Sequence, residues 1–213
     1  MKMLLIVVAV FLASCGGEPV ARNTGVYMLL DTSGTYRAEL EKAEQIIYYT
    51  LSRLGPTDSF AVARIDTGSF SEKDIIVKAT FEDRPSAANG QKRQFAERIA
   101  DFSKTAKSAP YTDITGGLLQ AIEFLNEKNP GHKTIFIFSD LKEDLKSGYV
   151  RDVPLSLDGF DVVALNVTKL RSDNVDPREY MSRLEEWEAQ VEQGGGRWRV
   201  VNDLDRLESL LTM

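Results

Sequence analysis

The sequence predicts an α/β fold: a doubly wound, mostly parallel sheet with helices on both faces and one antiparallel edge strand. Three observations predict it. Val26-Tyr27-Met28-Leu29-Leu30 and Ile135-Phe136-Ile137-Phe138 are unbroken apolar runs. Runs of this length read as strands buried on both faces, as at the centre of a parallel sheet. Strand patterns alternate with helical stripes along the chain, in the order strand, helix, strand, strand, helix, helix, strand, strand, helix, strand, helix. That alternation implies a sheet sandwiched between helices. Finally, two adjacent strands are joined only by residues 66–74. A parallel crossover needs a dozen or more residues, so this pair is antiparallel and sits at an edge.

Taken in order, the opening strand at 26–30 is followed by a helix over 36–54, with Leu40, Ala43, Ile47, Leu51 and Leu54 at three- and four-residue spacing. Gly55-Pro56 ends it. Residues 59–65 and 75–81 are the paired strands, and Gly68 with its polar neighbours forms the loop between them. Residues 85–90 read as a loop. A helix over 91–104 follows, with Phe95, Ile99 and Phe102 on one face, and Ser108-Ala109-Pro110 breaks it. Residues 112–128 form the next helix on a stripe of Ile114, Leu118, Ile122 and Leu125. The second central strand covers 133–140, a charged loop 141–157, and a further strand 160–167. Asp176-Pro177 opens a helix as N-cap and first residue, with Tyr180, Leu184, Trp187 and Val191 as its apolar stripe. Gly194-Gly195-Gly196 closes it before a strand at 197–201 and a helix at 204–211. The aromatics Tyr48, Tyr49, Phe95, Phe102, Phe136 and Trp187 fall at core spacing, and His132 reads as a loop residue.

The 213 residues carry 43% hydrophobic and 27% charged side chains, enough for one sizeable core over residues 24–213. Acidic and basic residues are interspersed, the net charge is -6 and no basic stripe is present, which argues against a nucleic-acid partner.

Residues 1–14 are a separate object. Lys2 precedes an apolar run over 3–13 that is too short to span a bilayer and has the composition of a secretory signal. It closes on Leu12-Ala13-Ser14-Cys15-Gly16-Gly17. This resembles the lipobox of bacterial lipoproteins, which implies cleavage before Cys15, lipid attachment to it, and a membrane anchor through several acyl chains. Cys15 is the only cysteine, so no internal disulfide forms. Gly16 in place of Asp resembles the outer-membrane sorting pattern of Gram-negative lipoproteins, which implies a periplasm-facing location. Residues 15–23 form a short polar tether of at most ~30 Å, which keeps the domain near the membrane.

The first strand delivers Asp31, Ser33 and Thr35 to its carboxyl end, the edge at which open α/β sheets bind ligands. These are hard oxygens without nitrogen or sulfur, a set that suits Mg²⁺, Mn²⁺ or Ca²⁺. A doubly wound sheet brings two further segments to that edge: Thr112, at the start of a helix, and Asp140, after Ser139 at the end of the second central strand.

Asp31-x-Ser33-x-Thr35, Thr112 with Gly117, and Phe138-Ser139-Asp140 together resemble the metal ion-dependent adhesion site of the von Willebrand factor type A family. The last serine of that motif is Thr35 here, which keeps the hydroxyl. The element order also matches this Rossmann-like family over residues 24–213. The resemblance implies a divalent cation, Mg²⁺ foremost, held by Asp31, Ser33, Thr35, Thr112 and Asp140. It also implies an open coordination position filled by an acidic residue of a protein partner, and no enzymatic activity. Asp113 is expected to cap its own helix or to meet solvent.

Two alternatives compete. Asp31-Thr32-Ser33-Gly34-Thr35 is also similar to the first motif of haloacid dehalogenase-type phosphatases, with Asp31 as nucleophile and Asp140 and Asp144 at the spacing of that family's magnesium site. Against it, Ser33 replaces that family's second aspartate, and a helix begins just after Thr35, where those enzymes insert a flap. The other alternative is an assembly scaffold that binds no metal.

Overall fold

The computed structural model describes residues 23–203 with the exception of 35, 69 and 109. Cys15, the signal segment and the helix expected over 204–211 lie outside the described residues.

In chain order the elements are β1 (Thr24–Leu30), α1 (Leu40–Arg53), β2 (Ser59–Arg64), β3 (Ile75–Thr80), α2 (Pro85–Thr105), α3 (Ile114–Lys128), β4 (His132–Phe138), β5 (Phe160–Leu165), α4 (Pro177–Gln193) and β6 (Arg197–Val201). The six strands form one sheet in the order β3-β2-β1-β4-β5-β6. β1 pairs in parallel with both β2 and β4, as do β4 with β5 and β5 with β6. Only β3 is antiparallel, and it lies at the edge. The expected fold class is thus the observed one. No helix among the described residues is long and apolar enough to cross a membrane.

The unbroken apolar runs are explained by burial on both faces. Along β1, Val26, Met28 and Leu30 face a core built with α1 and α2, whereas Tyr27 and Leu29 face a second core built with α3 and α4. All five are at most 2% exposed. Alternate residues of a strand point to opposite faces, so a strand between two helical layers has no polar position to spare. Full burial of each large aliphatic side chain is worth about 1.5–3 kcal/mol, and β1 and β4 together form the centre of both cores.

The chain leaves β1 for β2 on one side, and β4 flanks β1 on the other. The sheet therefore has its switch point between β1 and β4, where the two following segments diverge and leave a crevice at the carboxyl edge. The start of α3 closes on that edge because Gly116 and Gly117 carry no side chain. A Cβ at Gly117 would lie 2.8 Å from side-chain carbons of Leu29 and Ile65. One at Gly116 would lie 2.5 Å from the Asp113 carboxylate.

Three expectations need correction. Residues 85–90 are not a loop but the opening of α2, with Pro85 in the first turn and Ala88 buried in the core. Proline's fixed φ and missing N–H suit that position, so what read as a breaker is a helix start. Tyr48 is not a core residue: it is 39% exposed, and its hydroxyl donates to Glu44 one turn earlier. His132 is the first, exposed residue of β4 rather than part of the loop before it.

Candidate metal centre at the sheet's carboxyl edge

Three segments meet at the switch point. The first follows β1. The Asp31 amide donates to the Phe138 carbonyl at 2.9 Å, so the strand ends of β1 and β4 stay paired as the chains diverge. The Asp31 carboxylate is buried and accepts the Ser33 amide at 2.8 Å on Oδ1 and the Ser139 hydroxyl at 2.7 Å on Oδ2. The second segment precedes α3. Thr112 is buried and exchanges two backbone hydrogen bonds with Asp144, at 2.8 and 2.9 Å. The third follows β4, where Asp140 Oδ1 accepts the Lys142 amide at 2.9 Å.

Ser33, Thr112 and Asp140 line one cavity of about 520 Å³, shared with Gly34, Ser108, Lys142 and Asp144. Asp31 lies beneath that wall, joined to it through Ser33 and Ser139. Four of the five residues expected to gather on sequence grounds are therefore neighbours. Thr35 lies outside the described residues. The sequence places Ser139 beside Asp140 but does not show its contact with Asp31. Ser139 bridges both loops, since its oxygen also accepts the Leu141 amide at 3.1 Å.

Both carboxylates titrate above their usual range. For Asp31 the main cause is burial, which outweighs the hydrogen bonds from Ser33 and Ser139, and the nearby Asp66 charge adds to it. For Asp140 burial again leads. The Lys142 amide opposes it, the Asp31 charge reinforces it, and the Arg183 and Lys142 charges offset part of the rise. Two partly dehydrated like charges at one sheet edge are destabilised when ionised, and an added cation would relieve both.

The donor set fits a hard dication. Among the described residues no group of three or more His, Cys, Asp or Glu side chains is placed to hold a metal. A cation here would therefore need the hydroxyls of Ser33 and Thr112 as well as Asp31 and Asp140, an all-oxygen set of the kind Mg²⁺ and Mn²⁺ take.

The surrounding contacts hold this edge in place. The Thr32 hydroxyl donates to buried Asp66 at 2.5 Å, which fixes the loop after β1. Arg183 on α4 donates to the Asp140 carbonyl at 3.3 Å and grips Asp173 with bonds of 2.8 and 2.7 Å. Those bonds hold the Asp173 carboxyl down at about 2. Trp187 Nε1 donates to the Leu141 carbonyl at 3.0 Å.

Asp113 caps α3, as expected, through the Gly116 amide at 2.8 Å. Rather than meeting solvent, its carboxylate also accepts the Phe70 amide at 2.8 Å and two bonds from Arg151, at 3.1 and 2.6 Å. The pair with Arg151 joins residues 38 positions apart, and no local pattern announces it.

The chain passes from β1 through a short 3-10 turn at Arg37–Glu39 directly into α1. Only residues 31–39 separate β1 from α1, a connection too short for a flap, which counts against the phosphatase alternative.

No protein-family model matches the sequence, and no curated protein matches it. Solved structures do resemble it. A von Willebrand factor type A protein from Catenulispora acidiphila superposes with a TM-score of 0.56 at 16% identity, over 89% of this chain and 41% of that one. The pilus adhesin SpaC from Lactobacillus rhamnosus GG, in its open conformation, gives 0.56 at 11% identity, over 89% and 29%. Proximal thread matrix protein 1 from the mussel byssus gives 0.51 at 14% identity, over 90% and 47%. This chain spans less than half the length of each of the three.

Proposed function

We propose that this chain, whose fold is that of the von Willebrand factor type A domain, is a lipid-anchored, non-enzymatic interaction module of the bacterial envelope. It binds an acidic residue of a protein partner through a divalent cation at the β1–β4 edge. The observation that carries this reading is the convergence of Ser33, Thr112 and Asp140 on one cavity, with the Asp31 carboxylate buried behind them.

When bound, the cation supplies an electrophilic centre for an incoming carboxylate. The chain's own residues do the rest. Asp31 and Asp140 provide two negative charges. The Ser33 and Thr112 hydroxyls provide neutral oxygens, so charge at the site is not fully cancelled and an anion is still attracted. Asp31 holds the Ser33 amide and the Ser139 hydroxyl, which fixes both loops before any ligand arrives. The buried Thr112 is held by its backbone ladder with Asp144. Such preorganisation lowers the ordering cost of binding.

Titration with Mg²⁺ or Mn²⁺ tests the reading, followed by thermal unfolding of the full chain. A ligand that binds only the folded state stabilises by about 2.7 kcal/mol at 100 times its dissociation constant. For a domain of this size that raises Tm by about 5–10 °C. Absence of any rise up to millimolar cation would refute it.

Cys15 carries the lipid, residues 1–14 are removed, and the domain faces the periplasm on a short tether. Cys15→Ser should move the protein from the membrane fraction to the soluble fraction and abolish its labelling by a clickable palmitate analogue. A variant that stays membrane-bound and labelled would refute the lipobox.

A further inference from the structure

We propose that Lys142, with Leu170 beside it, is a second recognition point that selects partners carrying a second carboxylate next to the one received at the β1–β4 edge. This rests on the reading of that edge given above and specifies the partner it takes: an extended segment with two acidic side chains and an aliphatic one.

Lys142 and Leu170 line the edge cavity and also line a neighbouring cavity of about 390 Å³ that runs along the start of α4. The two cavities thus adjoin, with these residues as their common wall, and together form a two-part groove. Leu170 is half-buried and offers an apolar floor. Val175, between Ser172 and Asp176 in the chain, is 89% exposed.

The charge pattern singles out Lys142. Three cations border the groove. Arg183 is engaged by Asp173 through two hydrogen bonds. Arg178 is engaged by Asp176 in the same way, at 2.9 and 2.8 Å. Lys142 is exposed; its charge acts on Asp140, but among the described residues no carboxylate oxygen comes within 4.0 Å of its ammonium group. Its backbone is fixed, because its amide is bound to Asp140 Oδ1. Asp144 on one side and Glu186 on the other disfavour an anion elsewhere along the groove, so Lys142 is where a second carboxylate gains.

The test uses two probe peptides, acetyl-Leu-Asp-Glu-amide and acetyl-Leu-Asp-Gln-amide, titrated by NMR against the full chain in Mg²⁺, with EDTA as control. An exposed ion pair is worth up to about 1 kcal/mol, so the unmodified chain should bind the Glu peptide about two- to fivefold more tightly than the Gln peptide. Lys142→Ala should bind both alike, at the affinity of the Gln peptide. A preference that survives in Lys142→Ala, or none in the unmodified chain, overturns the assignment. Peptide binding that EDTA leaves unchanged overturns the cation reading instead, with the Lys142 comparison still standing on its own result.

Discussion

Asp113→Ala should destabilise the folded chain by about 3–5 kcal/mol, an effect read as a fall in denaturant midpoint with unchanged m-value. The carboxylate is fully buried and serves four donor groups: the Gly116 amide, the Phe70 amide, and Nε and Nη2 of Arg151. Burial pushes the Asp113 carboxyl up, yet the bonds from Arg151, Phe70 and Gly116 outweigh it and hold the group below its usual range. Its contribution is therefore present above the ordinary carboxylate pKa and is lost as pH falls through the lowered one. Truncation removes an N-cap worth about 0.5–2 kcal/mol. It also leaves the Phe70 amide without an acceptor, at about 1–3 kcal/mol, and strands a guanidinium whose side chain is only 21% exposed. Asp113→Asn keeps an acceptor and should cost less. A loss below about 1 kcal/mol for the alanine variant would contradict this account of the α3 entrance. Because Asp113 adjoins Thr112, the alanine variant should also weaken the cation response.

Asp31→Asn should separate stability from cation binding, with opposite signs. The folded state raises the Asp31 pKa, so between the ordinary and the raised value it binds more protons than the unfolded chain. Stability therefore falls as pH climbs through that window, by the cost of ionising the buried group. A neutral amide escapes that cost and still offers Oδ1 to the Ser33 amide. In EDTA the variant should thus be at least as stable as the unmodified chain. In Mg²⁺ or Mn²⁺ it should lose the 5–10 °C rise expected of the unmodified chain, since one of two charges holding the cation is gone. A variant that keeps the cation response would show that Asp31 acts as a structural hydrogen-bond acceptor alone, and one destabilised in EDTA would show that its hydrogen bonds outweigh the cost of its buried charge.

The sheet was legible because both central strands are buried on both faces, and Val26 to Leu30 is a short apolar run of strand length. The antiparallel edge was legible from the shortness of the 66–74 connection. Asp31, Ser33, Thr112 and Asp140 were legible because each sits where a strand ends or a helix begins, which local patterns reveal. What stayed hidden was long-range or ambiguous. The Ser139 clamp on Asp31 spans 108 residues, and the Asp113–Arg151 pair and the Thr32–Asp66 bond likewise join segments that only folding brings together. Pro85 was misread because the same rigid ring can end one helix or begin another, and only packing of Ala88 against the core decides. Tyr48 was misread because a helix face one residue beyond the stripe of Ile47 and Leu51 is already in solvent.

One dication held between the loops after β1 and β4 and the start of α3 is what separates an interaction module of this kind from a metal-free scaffold. Anomalous scattering from crystals of the full chain grown with Mn²⁺ tests it most directly. A manganese peak is expected within coordinating distance of Ser33, Thr112 and Asp140 oxygens, absent from crystals of Asp31→Asn. A peak elsewhere on the molecule, or none at a concentration that saturates binding in solution, would contradict that placement.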